Sequence, residues 1–270
     1  MRPVASRPML TVSASGQTGG TRALPAEIAV ALSYDGSTQA VMMATPADLE
    51  DFARGFTQTE GIAAPEDIDG IEPVELERGI DLRIWLKPGA SARLAERRRT
   101  MAGPVGCGLC GLDSLDAAMR APGRVRSTLR MGSAEVLAAA ASLRGHQPLQ
   151  DITRAVHAAA YWRPGAGVVL AREDVGRHNA LDKLAGGLLA AGEDAGQGAV
   201  VLTSRLSIDL IQKISRIGAP VVIAVSAPTA AAVDLAAEAG ITLVALARDD
   251  GFQVYTHPDR IEIEDASHVA

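Results

Sequence analysis

Apolar and polar positions follow two different rhythms along this chain. In the first third the apolar runs are strand-sized and come in pairs. Residues 28–34 and 39–43 flank the turn signal Asp35-Gly36, and 71–76 is followed by 81–86. Between the pairs, Leu49, Phe52, Ala53 and Phe56 keep the three-four spacing of a helix face, with Thr45 or Asp48 as cap and Gly61 at the end. Strand, strand, helix, strand, strand describes a small α+β unit. A short charged helix over 90–99 follows it.

Beyond residue 130 the rhythm changes. Residues 133–144 read as an Ala/Leu helix and 152–160 as a second helix. Strands at 168–172, 199–203, 221–225, 241–245 and 252–255 then alternate with helices at 179–189, 207–217 and 229–239. Continuous apolar strands between amphipathic helices predict a sheet covered on both faces, a three-layer α/β domain. The expected division is a disordered tail over 1–24, a small α+β domain over 25–98 and a larger α/β domain over 99–270.

Hydrophobic residues make up 47% of the chain but aromatics only 3%, so the core is expected to be built from Ala, Val, Leu and Ile. A net charge of -6 argues against a general nucleic-acid binder. No apolar run approaches the length of a membrane span. The N-terminal residues place Arg2 and Arg7 among Ser, Gly and Thr without the continuous apolar stretch of a secretory signal, so a cytoplasmic protein is expected.

The two cysteines of the chain, Cys107 and Cys110, share one four-residue spacing inside a Gly-rich run that reads as a mobile loop. Two sulfurs so placed reach each other or one shared atom, which suits thiol, disulfide or persulfide chemistry. The same spacing also supplies half of a tetrahedral metal site. Between Lys87 and Arg130 nine Lys or Arg stand against three acids. That field favours a thiolate and attracts anions, although a solvated basic face gives the same count.

Three successive strand ends are polar. The densest is Arg172-Glu173-Asp174-Val175-Gly176-Arg177-His178-Asn179, with Lys183 one turn further, at a strand-to-helix junction where open α/β sheets put ligand sites. Arg177 and Lys183 are candidates for phosphate, and Asp174 for a structural role. Thr203-Ser204-Arg205-Leu206-Ser207 and Ser226-Ala227-Pro228-Thr229 repeat the arrangement, Ser207 and Thr229 doubling as ordinary helix caps. One such loop is routine; three argue for a shared pocket. Lys213 reads as surface, and His157 as a helical histidine with no assigned role. The chain lacks a Gly-Lys-Ser/Thr phosphate loop, a Gly-x-Gly-x-x-Gly turn and a Gly-x-Ser-x-Gly elbow.

Read together, these segments resemble the FdhD family of formate dehydrogenase accessory sulfurtransferases. The matching pieces are Val41-Met42-Met43-Ala44-Thr45-Pro46, Gly55-Phe56, Glu60-Gly61-Ile62, Cys107-Gly108-Leu109-Cys110-Gly111, the run from Glu173 to Lys183, Ser226-Ala227-Pro228-Thr229 and Tyr255-Thr256-His257-Pro258. The resemblance implies a larger domain like the cytidine deaminase fold, a homodimer, and a persulfide on Cys107 or Cys110. Sulfur would pass from a cysteine desulfurase to the molybdenum (or tungsten) bis-guanine-dinucleotide cofactor, for delivery to the formate dehydrogenase catalytic subunit. The cofactor-binding residues it implies are Arg172, Arg177, His178, Asn179, Lys183, Arg205, Ser207, Ser226, Thr229 and His257. A carrier that binds the cofactor without moving sulfur, or a dimer stapled by zinc, are the alternatives. Where the family pattern has Thr-Gly-Gly-x-His, this chain has Thr153-Arg154-Ala155-Val156-His157, and Ser204 stands where the family has glycine.

Overall fold

The computed structural model describes residues 1–100, 122–248 and 250–263, the side chains of 97–100 excepted. The first departure from expectation is at the N-terminus. Residues expected as a disordered tail form a two-stranded antiparallel ribbon of β1 (Val4–Ser13) and β2 (Gly16–Pro25). Backbone pairing through a tight Ala14-Ser15 turn, with Ala26 N–H donating to the Pro3 carbonyl at its base, supplies order that polar composition does not advertise.

The small domain follows the predicted order. Strands β3 (Ile28–Tyr34), β4 (Ser37–Ala44), β5 (Ile68–Leu76) and β6 (Gly79–Leu86) form a sheet ordered β4-β3-β6-β5. Helix α1 (Leu49–Thr59) packs Phe52, Ala53 and Phe56 into one core with Val30, Leu32, Tyr34, Leu82 and Ile84. Helix α2 (Pro88–Thr100) adds Ala90 and Leu94.

In the larger domain six strands run in the order β13-β12-β11-β10-β8-β9. They are β8 (His157–Arg163), β9 (Gly167–Asp174), β10 (Ala199–Leu202), β11 (Val221–Ala224), β12 (Thr242–Arg248) and β13 (Gly251–Val254). The middle three are parallel, and antiparallel partners flank them. A short pair, β7 (Met131–Gly132) with β14 (Ile261–Glu262), lies outside this sheet. One sheet face buries Ala159, Tyr161, Val200, Val222 and Leu243 with α5 (Arg177–Ala191), α6 (Ile208–Ile217) and α7 (Ala230–Ala239). The other buries Ala158, Ala160, Trp162, Val201 and Ile223 with α3 (Ser133–Ser142). Both faces are covered, as continuous apolar strands require.

The helix expected over 152–160 is a correction. A short helix, α4 (Pro148–Thr153), stops there and the chain enters β8 at His157. Arg154 ends the helix in the left-handed region, at φ 58 and ψ 27, its N–H donating to the Gln150 carbonyl at 2.8 Å. The Ala-Ala-Ala stretch then goes to the sheet, because pairing on both sides outweighs the helical preference of alanine.

The two domains meet where α1 crosses α5 through glycines. A Cβ on Gly55 would lie 1.7 Å from the Asp182 carbonyl oxygen, and one on Gly186 would lie 1.8 Å from that of Asp51. The helices therefore touch backbone to backbone. Gly186→Ala should cost more than about 3 kcal/mol, the upper range for overpacking, because both obstacles are main chain. Chemical denaturation checks this; an unchanged midpoint would contradict it. Arg154→Gly should instead raise stability by about 0.5–1 kcal/mol, because relief of left-handed strain exceeds the added chain entropy of glycine. A lowered midpoint in the same assay would show that Arg154 is not strained.

Candidate functional site

The three polar strand ends lie side by side along one edge of the six-stranded sheet. Val225 N–H donates to the Leu202 carbonyl at 3.1 Å, Leu206 N–H to Ala227 at 3.3 Å and Thr229 N–H to Leu206 at 2.9 Å. Because β8 runs opposite to β10, His157 reaches the same edge, paired in register with Asp174. The Thr203 hydroxyl accepts from Ala158 N–H at 2.9 Å and ties this start of β8 to the end of β10.

Side chains at this edge divide into two groups. The first points outward. Arg177 is half-buried at the start of α5, and no carboxylate pairs with it among the described residues. His178 Nε2 meets the Asp209 carboxylate, and the Ser207 hydroxyl lies beside that carboxylate. Burial alone would raise the Asp209 carboxyl, but the contacts from His178 and Ser207 hold it well below the usual carboxylate range. Arg205 and Thr229 are exposed and Ser226 is partly so. Thr229 also caps α7, its hydroxyl accepting from Ala232 N–H at 3.2 Å. His157 is half-buried; desolvation lowers its pKa first, and the neighbouring Arg177 and His178 charges lower it further.

The second group points inward, which corrects their expected role. Lys183 is fully buried, its ammonium 2.6 Å from Asp174 Oδ2 and 2.8 Å from the Thr45 carbonyl, and it offers no surface to a phosphate. The Asn179 amide donates to Asp174 Oδ1 at 3.0 Å and to the Met43 carbonyl at 2.8 Å. Asp174 further accepts from the N–H groups of Thr45 and Gly176, which satisfies it as a buried anchor. Arg172 is spent on Asp51, with two nitrogens at 2.9 and 2.7 Å from one carboxylate oxygen. Glu173 accepts from the Leu149 and Gln150 N–H groups at 2.8 Å each and so seats the start of α4.

Lys213, expected at the surface, is buried in the same joint. Its ammonium lies 2.9 Å from Asp182, 2.6 Å from Glu60 and 3.1 Å from the Thr59 hydroxyl. Burial would push its pKa down, but Asp182 and Glu60 outweigh burial and hold it above the ordinary lysine value. Lys183 and Lys213 also lie 5.9 and 5.4 Å from the ring centroids of Phe52 and Phe56. Both lysines were misread from sequence for one reason. Their carboxylate partners are Asp174 at the end of β9, Asp182 on the neighbouring helix α5 and Glu60 of the other domain, and spacing along the chain does not display them.

His257 does not join the edge. The Thr242 hydroxyl at the start of β12 donates to its carbonyl, which puts it at the opposite end of the sheet. There it lines a groove of about 860 Å³ with Arg124, Arg126 and Arg260. Cys107 and Cys110 lie outside the described residues. Asp209 is the site residue that sequence reasoning missed; an acid in a first helical turn looks like an ordinary dipole partner.

Comparison with known proteins gives a consistent picture. The model of the FdhD/NarQ family matches residues 25–262. The chain is 50% identical to the sulfur carrier protein FdhD of Agrobacterium fabrum over 246 residues, covering 90% of each chain. It is also 50% identical to the protein of that name from Cupriavidus necator over 239 residues, 88% of this chain and 83% of the other. A crystal structure from Desulfotalea psychrophila, provisionally assigned as a formate dehydrogenase accessory protein, superposes with a TM-score of 0.75 at 24% identity, covering 96% of this chain and 99% of its own. With a family model spanning both domains and relatives of half-identical sequence, this chain belongs to the FdhD/NarQ family.

Proposed function

We propose that this protein is a sulfurtransferase that carries sulfur on the Cys107–Cys110 pair and serves the maturation of formate dehydrogenase. The observation that carries the reading is near-full-length identity of 50% to proteins named sulfur carriers, in a chain whose two cysteines stand three positions apart in sequence. The donor is a cysteine desulfurase. The recipient of the sulfur is the molybdenum (or tungsten) bis-guanine-dinucleotide cofactor, handled as substrate before it enters the formate dehydrogenase catalytic subunit. The work is cytoplasmic and done by two copies of the chain. The order β9-β8-β10-β11-β12 with helices on both faces supports kinship of the larger domain with the cytidine deaminase fold.

The chemistry balances as two exchanges. A thiolate, in this reading that of Cys107, attacks the outer sulfur of the donor's persulfide. The donor S–S bond breaks and the donor leaves as its thiolate. Cys110 thiolate then attacks the inner sulfur of the new persulfide, forming the Cys107–Cys110 disulfide and releasing hydrosulfide with both bonding electrons to the metal. A thiol reductant resets the pair. Arg177, His178, Arg205, Ser207, Ser226 and Thr229 supply charge and hydrogen bonds suited to the guanine dinucleotide, whose phosphates favour a cationic edge. Arg172, Asn179 and Lys183 act beneath them as supports.

Incubation with a cysteine desulfurase and cysteine should add one sulfur atom to the peptide bearing Cys107 and Cys110, seen by mass spectrometry. Changing both cysteines to alanine should abolish the gain and drop formate dehydrogenase activity to background. Normal maturation by the double variant would overturn the transfer reading and leave a binding role.

A further inference from the structure

His178 and Asp209 meet across two helix starts. His178 stands in the first turn of α5 and Asp209 in the first turn of α6. One turn further in, Asp182 of α5 meets Lys213 of α6 at 2.9 Å. His178 and Asp182 are four apart, as are Asp209 and Lys213, so each helix puts both of its residues on one face. The two helices are thus joined by two rungs. In the outer rung α5 supplies the donor; in the inner one α6 does. The inner rung is buried and holds the helices together. The outer rung is partly open, His178 at 27% and Asp209 at 20% exposure, and exposed pairs add little to stability. Its position beside Arg177 puts it at the proposed ligand edge instead.

The chemistry of the outer rung fixes the histidine ring. Burial would raise the Asp209 carboxyl, but the His178 and Ser207 contacts outweigh it and keep the group ionised, so it only accepts. The ring nitrogen that meets it therefore carries a proton. That nitrogen is Nε2, and it is shut off from solvent, so the carboxylate and not water is what it faces. Among the described residues nothing bonds Nδ1. In a neutral imidazole with its proton on Nε2, Nδ1 is a lone-pair acceptor. The arginines of the edge, Arg177 and Arg205, only donate.

We infer that Asp209 is a positioning residue, which pins the His178 proton on Nε2 and turns Nδ1 as an acceptor toward an N–H or O–H group of the bound nucleotide. This rests on the reading of the edge as a nucleotide site, and adds the residue that sets how His178 takes part. An acid in a first helical turn has an ordinary alternative use, pairing with the helix dipole. The two roles part on measurement.

Nitrogen NMR of the histidine rings on the full chain at about pH 9, above the ordinary imidazole range, reads the tautomer without any ligand. The wild type should show the His178 proton on Nε2. Asp209→Asn should show a mixture, because an amide both accepts from Nε2–H and donates to a bare Nε2. Calorimetry with guanosine diphosphate at the same pH should give at least about a fivefold loss of affinity in D209N, the worth of one hydrogen bond. His178→Ala should lose as much, and adding D209N to it should cost nothing more. A wild-type His178 proton on Nδ1 would overturn the positioning role and leave the nucleotide site standing. So would a D209N protein that keeps the wild-type tautomer and affinity, which is how a mere dipole partner behaves. Wild-type protein that binds no nucleotide would sink the site itself and the inference with it.

Discussion

Two ammonium groups buried between the domains determine how the rest of this molecule is arranged. Lys183 and Lys213 project from α5 and α6 into the crossing with α1, one onto Asp174 and the Thr45 carbonyl, the other onto Asp182 and Glu60. Removing one partner of such a pair strands the other and typically costs about 3–5 kcal/mol. The charges are tolerated because glycines let the helices touch, so water is excluded while carbonyls and carboxylates come within reach. Phe52 and Phe56, four residues apart on α1, each place a ring near one lysine.

This joint explains why several of the family-like segments occur together. Met43 near the end of β4 and Thr45 just after it hold Asn179, Asp174 and Lys183; Gly55 and Glu60 meet Asp182 and Lys213. Segments far apart in sequence are thus one structure. Its result is a fixed start for α5, where Arg177 and His178 face outward over a base that cannot shift without breaking buried ion pairs. Groups held in place before a ligand arrives lower the ordering cost of binding, which is what the proposed role of this edge requires.

Periodicity displayed most of the fold, because strands covered on both faces and helices with one apolar side leave clear patterns. It failed where pairing overrode composition. The alanines after His157 look helical but lie between two strands, and the ribbon at the N-terminus is ordered by backbone hydrogen bonds between polar residues. The candidate site was legible as a location, since three polar strand ends share an edge. The roles within it were not. Arg172, Asn179 and Lys183 stand in the same run as Arg177 and His178, and only the path of α5 decides which side faces the other domain. His257 follows a strand just as the others do, but β13 is antiparallel and carries it to the far end.

The central claim is that this run separates into an inward support and an outward edge, the one proposed above to hold the ligand. Calorimetry with guanosine diphosphate on the wild type and on Arg177→Ala tests it most directly. The account predicts binding by the wild type that weakens as salt rises, since phosphate contacts are screened. It predicts at least a tenfold loss in Arg177→Ala with an unchanged unfolding midpoint. Equal affinity in the variant, or an Arg177→Ala protein destabilised as a buried-pair variant would be, would contradict it.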